Sequence, residues 1–205
     1  MENIKTWQKV GIISAVLFGI ILMAGVASAA DSAIWTTLDV SGGLTDSLTL
    51  NVQEELRFAD VNGPELARQH TDISVGWNVC SFFSAVGGYR NTSAGEHRPY
   101  VGAELSLLDG DLNLDSASRL ELRDFDTLRA RTGLTVSASV AGVTPWLSDE
   151  VFVDGNGVSG NRASVGVAKS INDTLGVSAY YLLDSSGDGL TSHAHVLGLG
   201  LAVSL

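Results

Sequence analysis

Arginine and glutamate alternate with leucine in one short part of the chain, SRLELRDFDTLRAR at residues 118–131. Guanidinium groups at this spacing can pair with carboxylates through two parallel hydrogen bonds, or can bind a small anion. Ion pairing and anion binding are structural or binding roles, and neither indicates a catalysed reaction. The alternation predicts two strands, each with an apolar face and a charged face, joined by a turn around Phe125.

A serine and two histidines near the end of the chain have the residue types of a nucleophile and its base. Ser192 is followed by His193 and His195, and both histidines share the parity of the leucines that follow them. A hydrolase of membrane lipids needs such a pair on a lipid-facing rim. The sequence identifies neither an orienting acid nor an oxyanion donor for them, so hydrolysis is an alternative hypothesis.

The loop DSSGDG at residues 184–189 has the first half of a calcium-loop pattern. Acids and a serine occupy alternate positions before a glycine, as the oxygen ligands of Ca²⁺ do. His195 stands where the bidentate glutamate is needed. The sequence therefore predicts an ordinary polar loop, with no metal site and no cofactor.

The first thirty residues are typical of a signal peptide. Two lysines precede an apolar run at residues 10–26, and an A-S-A sequence ending at Ala29 supplies the small residues of a cleavage site. We interpret residues 1–29 as a Sec signal peptide cut after Ala29 or Ala30. A retained transmembrane helix is the alternative, since roughly 17 apolar residues are the lower limit for spanning. Residues 30–205 then form one domain.

Basic residues beyond the signal peptide are almost all arginines. Lys169 is the only lysine there, and the whole chain has a formal net charge of −11. Arginine suits buried carboxylate pairs, whereas lysine suits solvated surface charge. The acidic balance argues against nucleic acid as a partner. Cys80 is the only cysteine, so an internal disulfide is excluded, and we expect a buried thiol that packs as a small apolar residue.

The rest of the chain has the pattern of β-strands. Segments of roughly ten residues with period-two alternation recur between Gly, Asn, Asp and Ser clusters, and no helical period is found. No second apolar run is long enough to cross a bilayer as a helix, so a membrane form has to cross as strands. The predicted strands are Ala33–Gly42, Ser47–Phe58, Thr71–Val79, Phe83–Arg90, His97–Leu108, Leu112–Arg123, Leu128–Val140, Val143–Val153, Asn161–Ile171, Thr174–Leu183 and Ser192–Leu205.

Short connections alternate with longer polar ones along these segments. Outer-membrane barrels have short turns on the periplasmic side and longer loops outside. The predicted fold class is therefore all-β, a transmembrane antiparallel up-and-down β-barrel of about 10–12 strands. Eleven segments are counted, whereas bacterial barrels have even numbers. Either Ala33–Gly42 is not a full crossing and there are ten strands, or one strand is missed and there are twelve.

Sorting the strands by face predicts that the charged residues lie inside the barrel. Leu120 points one way and Arg119 and Glu121 the other, and an arginine on the lipid face near the midplane costs roughly 2–4 kcal/mol. Six arginines near the longer connections are expected to form a ring in the lumen. Glu54 breaks the alternation and predicts a bulge. The predicted lumen ionic network comprises Glu55, Arg57, Arg90, Arg98, Glu104, Arg119, Glu121, Arg123, Arg129, Arg131, Glu150 and Arg162.

Aromatic side chains on the opposite face fall near both ends of the predicted strands. Phe58, Tyr89 and Tyr181 lie beside the longer connections, and Trp77 and Phe83 beside a short one. Two such bands are typical of the two interfaces of a membrane.

Several short motifs occur in a particular order along the chain. They are Glu55-Leu56-Arg57-Phe58, Gly88-Tyr89-Arg90, His97-Arg98, Arg119-x-Glu121-x-Arg123, Arg129-x-Arg131, Asp149-Glu150 and Asn161-Arg162 with Gly166. In their order and spacing these motifs resemble the bacterial outer-membrane proteins catalogued as domain of unknown function 2490, over nearly the whole mature chain. The resemblance implies an outer-membrane barrel, with no established activity or cofactor. Leu205 departs from the usual aromatic ending of such barrels.

Together these features predict a porin-like outer-membrane protein of a Gram-negative bacterium, without an evident catalytic site. It is expected to be structural or a narrow channel, with a lumen lined by arginine and glutamate. The expected partners are outer-membrane lipid and the barrel-insertion machinery, with no nucleic acid and no known small-molecule ligand. The alternatives are an outer-membrane lipid- or envelope-modifying hydrolase with a Ser/His site at the external rim, and a soluble periplasmic barrel. For the arginines, a structural network, anion passage and anion binding are three alternatives.

Overall fold

The computed structural model describes residues 32–59, 65–187 and 190–205. The predicted signal peptide, residues 1–29, lies outside the described residues. Within those ranges no helix is long and apolar enough to cross a membrane. The described chain forms eleven strands: β1 Ser32–Gly43, β2 Leu48–Phe58, β3 Leu66–Cys80, β4 Phe83–Thr92, β5 His97–Leu108, β6 Leu112–Arg123, β7 Thr127–Ala138, β8 Thr144–Asp154, β9 Gly157–Ser170, β10 Leu175–Ser186 and β11 Ser192–Ser204.

The strands form one closed barrel in which each strand pairs with its neighbours along the chain. All consecutive pairs are antiparallel, so the predicted all-β up-and-down barrel is confirmed. The ring closes between β1 and β11, which run parallel from the pair Ser32 and His195 to the pair Ser41 and Ser204. An antiparallel closure needs an even number of strands, whereas a parallel closure allows eleven. The alternatives of ten or twelve strands are therefore wrong, and the first segment is a full strand.

Connections are short at both ends of the barrel. We call the end with the β10–β11 connection the arginine end, and the end with Leu205 the carboxyl end. Connections at the arginine end run from residues 155–156 up to residues 59–65, and those at the carboxyl end from residues 81–82 up to residues 139–143. The predicted contrast in length is weak, because β3 and β9 extend into segments that the sequence pattern assigned to loops.

The outer surface of the barrel is apolar around its whole circumference. A soluble monomer rarely exposes a continuous apolar surface larger than a few hundred Å². Trp77 lies on this face near the carboxyl end and Tyr89 near the arginine end, as the alternation predicts. The exposed outward side chains include Ile73, Val101, Leu120, Leu128, Leu134, Leu147, Val177, Leu197, Leu199 and Leu201.

Two local expectations from the sequence are wrong. Glu54 does not mark a bulge, because it pairs regularly with Leu38 and Thr71, and its carboxylate accepts a 2.7 Å hydrogen bond from the Thr71 hydroxyl on the outer face. The register shift in β2 lies between Arg57 and Phe58. Cys80 is exposed, since it is the last residue of β3 beside a two-residue turn.

The apolar core lies on one wall of the lumen, where β1, β10 and β11 meet. Trp35, Leu182 and Val196 are buried there, with Tyr180 packed against them. Gly198 is required because the Tyr180 ring lies flat on it: a Cβ at this position would be 1.9 Å from the ring carbon Cζ. The opposite walls of the lumen are filled by charged side chains.

Candidate functional site in the barrel lumen

A buried carboxylate on β3 is the first centre of the lumen network. Asp72 accepts hydrogen bonds from Arg90 Nε at 2.8 Å and from the Tyr100 hydroxyl at 2.6 Å. The three residues come from neighbouring strands, because Asp72 is opposite Arg90 in the register and Gly88 is opposite Tyr100. Gly88 leaves room for the Tyr100 ring, since a Cβ there would be 2.4 Å from it. Arg90 also donates to Gln53 at 3.2 Å, which carries the network to β2.

Glu121 on β6 is the second centre, and its side chain is only 1% exposed. Arg119 Nε lies 2.6 Å from one carboxylate oxygen, and Arg129 Nε donates to the other at 3.0 Å. Arg119 also lies 3.7 Å from the Asp72 carboxylate. Since β3 and β6 are not neighbours in the sheet, this contact reaches across part of the lumen.

A third group of ion pairs lines β7 to β10. Arg131 donates to Glu150, and Arg162 lies 3.9 Å from Glu150 and donates to Asp184 at 3.2 Å. The Phe152 ring packs under these guanidinium groups, with the Arg162 Cζ 4.9 Å from its centroid. Desolvated cation–π contacts of this kind stabilise a guanidinium by about 2 kcal/mol or more.

The network returns to β1 and β2 through aromatic contacts. The guanidinium of Arg57 lies 3.6 Å from the Trp35 ring and that of Arg162 lies 5.1 Å from it. Arg57 also pairs with Glu55 at 2.5 Å. His70 lies 3.7 Å from Glu55 and is 2% exposed, with no hydrogen-bond partner for either ring nitrogen among the described residues.

One ion-pair cluster lies at the rim of the arginine end. Glu96, in the connection between β4 and β5, accepts hydrogen bonds from Arg98 and Arg123. Burial acts to raise the pKa of Glu96, but the hydrogen bonds from the two guanidinium groups outweigh it and lower the pKa to about 2. The carboxylate is therefore ionised at neutral pH, and it joins the ends of β5 and β6.

Below this network the lumen contains a cavity of about 380 Å³. It lies toward the carboxyl end, because Ser41 and Asn51 line it together with Arg90, Arg119 and Arg131. The lumen thus has a tier filled by ion pairs on the arginine side and an open volume on the other side.

The outer face of the barrel holds His193 and His195, the imidazole groups that the sequence singled out, but not Ser192. Ser192 and His193 point to opposite faces, because Ser192 shares the inward parity of Val196. The partner of His193 is Ser185 on β10, whose Oγ lies 3.0 Å from its Nδ1. Ser185 is 6% exposed, and no acid contacts His193 among the described residues. Asp184 is engaged with Arg162, and no group of three metal-ligating side chains is found in the described ranges.

Comparison with known proteins identifies the family. The match is to the family described as a protein of unknown function, DUF2490, over residues 32–188. The chain belongs to the DUF2490 family. The KdgM porin is a similar solved structure, with a TM-score of 0.47 and 13% identity, over 76% of this chain and 90% of that chain. No curated protein matches the sequence.

All twelve site residues predicted from the sequence lie on lumen-facing positions of this DUF2490 barrel. Eleven of them belong to the three ion-pair groups or to the two clusters with Glu55 and Glu96. Glu55 and Glu150 each pair with an arginine, as described above. Glu104 is different: it is exposed beside the cavity, and no ion pair of it is found within the described part of the chain.

The pattern of single strands missed several members of the network. Asp72, Glu96 and Asp184 were not predicted, although each neutralises at least one predicted arginine. Tyr100 and His70 were missed as well. A usable signal exists for β3, where His70, Asp72 and Ser74 have one parity, but the predicted strand began only at Thr71.

Proposed function

We propose that this DUF2490 protein is an outer-membrane barrel whose lumen is closed at rest by its own ion pairs, so that it is structural or conducts only through a narrow path. The observation that carries this proposal is the burial of Glu121 between Arg119 and Arg129. A carboxylate this deep in the lumen leaves no room for a wide aqueous pore at its level.

The membrane location is supported by the outer surface. Leu197 and Leu199 are 53% and 57% exposed although they lie in the middle of β11. Water disfavours such a band, whereas lipid chains solvate it. Aromatic residues near both ends of the strands fit two membrane interfaces.

The charges of the lumen do not favour strong anion selectivity. Nearly all of the lumen arginines form ion pairs with carboxylates. Glu121 pairs with two arginines, and Asp184 pairs with Arg162. A paired guanidinium attracts an anion much less than a free one does, because the neighbouring carboxylate cancels its field. We therefore propose a plug rather than a selectivity ring.

Ion conductance of the purified, refolded protein in a planar bilayer tests the plug. We expect no steady conductance from the wild type, and open steps from an Arg129→Ala, Phe152→Ala variant that removes side chains at the level of Glu121. Lys169→Ala, on the outer face, is the control and should behave as wild type. Large, steady steps from the wild type would contradict the closed lumen.

A lipid hydrolase is a second candidate, because Ser185 and His193 are within hydrogen-bond distance. In that reaction His193 takes the hydroxyl proton, Oγ attacks the ester carbonyl, and the alcohol leaves with the proton. The buried hydroxyl of Ser185 disfavours it, since an ester carbonyl has to reach Oγ. Covalent labelling of the folded protein by a fluorophosphonate, lost in Ser185→Ala, would establish the hydrolase; we expect no labelling.

A further inference from the structure

Three of the four histidines lie on the outer face at the arginine end and share one arrangement. In each case the ring nitrogen Nδ1 is hydrogen-bonded to a hydroxyl group on the next strand. The pairs are His97 with Tyr89, His195 with Tyr181, and His193 with Ser185.

This arrangement fits one form of the neutral imidazole. The hydroxyl groups of Tyr89, Tyr181 and Ser185 can each donate their hydrogen to Nδ1, and the tautomer of the ring sets the direction of the hydrogen bond. A neutral ring that accepts at Nδ1 carries its own hydrogen on Nε2. In this tautomer all three rings present an N–H donor.

The pairs lie on opposite sides of the barrel. His97 and Tyr89 belong to β4 and β5, whereas the other two pairs belong to β10 and β11. Four strands separate the two groups on one side, and three on the other. A single partner protein or a second copy of the chain contacts only one side. A lipid layer surrounds the barrel and contacts both.

The depth of the pairs corresponds to the head-group level of such a layer. His97 is the first residue of β5 and His193 the second residue of β11, so both lie where the strands reach the arginine end. Further along the same strands, toward the middle of the barrel wall, the outward-facing residues are apolar, with Val101 65% exposed and Leu197 53% exposed. Polar tips with apolar bodies favour this boundary between hydrocarbon and water.

We propose that the Nε2–H groups of His97, His193 and His195 bind the phosphate groups of lipid head groups on the arginine-end face of the membrane. Phosphate oxygens carry charge, and hydrogen bonds to a charged acceptor are roughly twice as strong as neutral ones. This inference rests on the proposed membrane location and adds to it a class of lipid and the residues that bind it.

Lipid retention tests the inference. The purified barrel is reconstituted with an equal mixture of phosphatidylglycerol and a neutral glycolipid that lacks phosphate, extracted gently in detergent, and its retained lipids are counted by native mass spectrometry. The wild type should retain phosphatidylglycerol preferentially. In a variant with His97, His193 and His195 changed to Phe, its retention should be about threefold or more lower, as expected from one net hydrogen bond per site.

A matched variant separates the donor from the aromatic ring. Glutamine at the same three positions keeps an amide N–H near the place of Nε2, so His→Gln should retain most of the phosphatidylglycerol. His97→Phe alone and His193→Phe with His195→Phe should each lose part of it, which keeps the test decisive if the triple variant folds poorly. Equal phosphatidylglycerol retention by wild type and Phe variant, or no preference over the glycolipid, would overturn the inference. Failure of the wild type to insert into either lipid would overturn the membrane location as well.

Discussion

Arg90 donates a hydrogen bond from Nε to the Asp72 carboxylate at 2.8 Å, and both side chains are more than nine-tenths buried. The two residues are directly opposite each other on β3 and β4. Removing one partner of a buried ion pair leaves an unpaired charge, whereas replacing both with apolar residues is often neutral. Single and double substitutions therefore distinguish the contribution of this ion pair from that of general packing.

Replacing Asp72 with leucine should lower the free energy of unfolding by about 3–5 kcal/mol, because Arg90 is left buried without its carboxylate. The double variant Asp72→Leu, Arg90→Met should regain part of this loss, and the remainder reflects the Tyr100 hydroxyl and Arg119, which stay without their carboxylate. Urea unfolding of the barrel in lipid vesicles, followed by tryptophan fluorescence, measures both. Asp173→Asn, in an exposed turn, is the control. An additive effect of the two substitutions would argue against the pair.

The Glu96 cluster should make stability depend on pH in the acid range. The folded pKa of about 2 is below the ordinary value of 4.5, so the ionised form stabilises the folded state above pH 4.5, and this contribution is lost as the pH falls toward 2. Glu96→Gln should be less stable than wild type at pH 7, by about 0.2–1 kcal/mol for a rim ion pair. Unfolding midpoints at pH 7, 4 and 2 should converge for the two proteins. A constant difference across this range would assign the effect to something other than ionisation.

The glycine beneath Tyr180 should tolerate no side chain. In Gly198→Ala the new Cβ meets the ring, which also packs against Trp146 at a centroid distance of 5.8 Å and has little room to move. We expect a loss of about 1–3 kcal/mol in the free energy of unfolding, typical of overpacking. Gly87→Ala adds a Cβ with no atom within 4 Å and is the control. Equal stability of the two variants would mean that the ring is free to turn away.

Cys80 reports which end of the barrel faces the cell exterior. It is the only cysteine and is exposed at the carboxyl end, so no substitution is needed to label it. If that end faces the periplasm, a bulky maleimide that cannot cross the outer membrane should label Cys80 only after cells are permeabilised. Ala94→Cys in a Cys80→Ser background, at the arginine end, should label in intact cells. The reverse pattern would invert the orientation.

Faces of individual strands were predictable from the sequence because the side-chain period of a strand is two. Arg119 and Glu121 alternate with leucines, and this local pattern is sufficient to assign them to the lumen. Eleven segments were also countable locally, although the even number usual for bacterial barrels favoured ten or twelve strands. The way in which the barrel closes could not be predicted from the sequence, because the parallel pairing of β1 with β11 depends on how the whole sheet curves and not on any residue in either strand.

The sequence pattern did not indicate which side chains contact each other across neighbouring strands. Asp72 meets Arg90, 18 residues away, and Tyr100, 28 residues away, through the register of three strands. A shift of register by one residue would turn each of these side chains to the other face. Ser185 was missed as the partner of His193 for the same reason, since Ser192 is nearer in sequence but points into the lumen.

The parallel pairing of β1 with β11 determines on which side of the barrel a protein domain fused to either of these strands would lie. Because these strands run the same way, Ser32 is at the arginine end and Leu205 at the carboxyl end. A reporter domain placed directly before Ser32 and another placed after Leu205 would stand on opposite sides of the bilayer. A circular permutant joining these two residues would need a linker as long as a whole strand, roughly 40 Å. In an even-stranded barrel the same permutant needs only a hairpin turn.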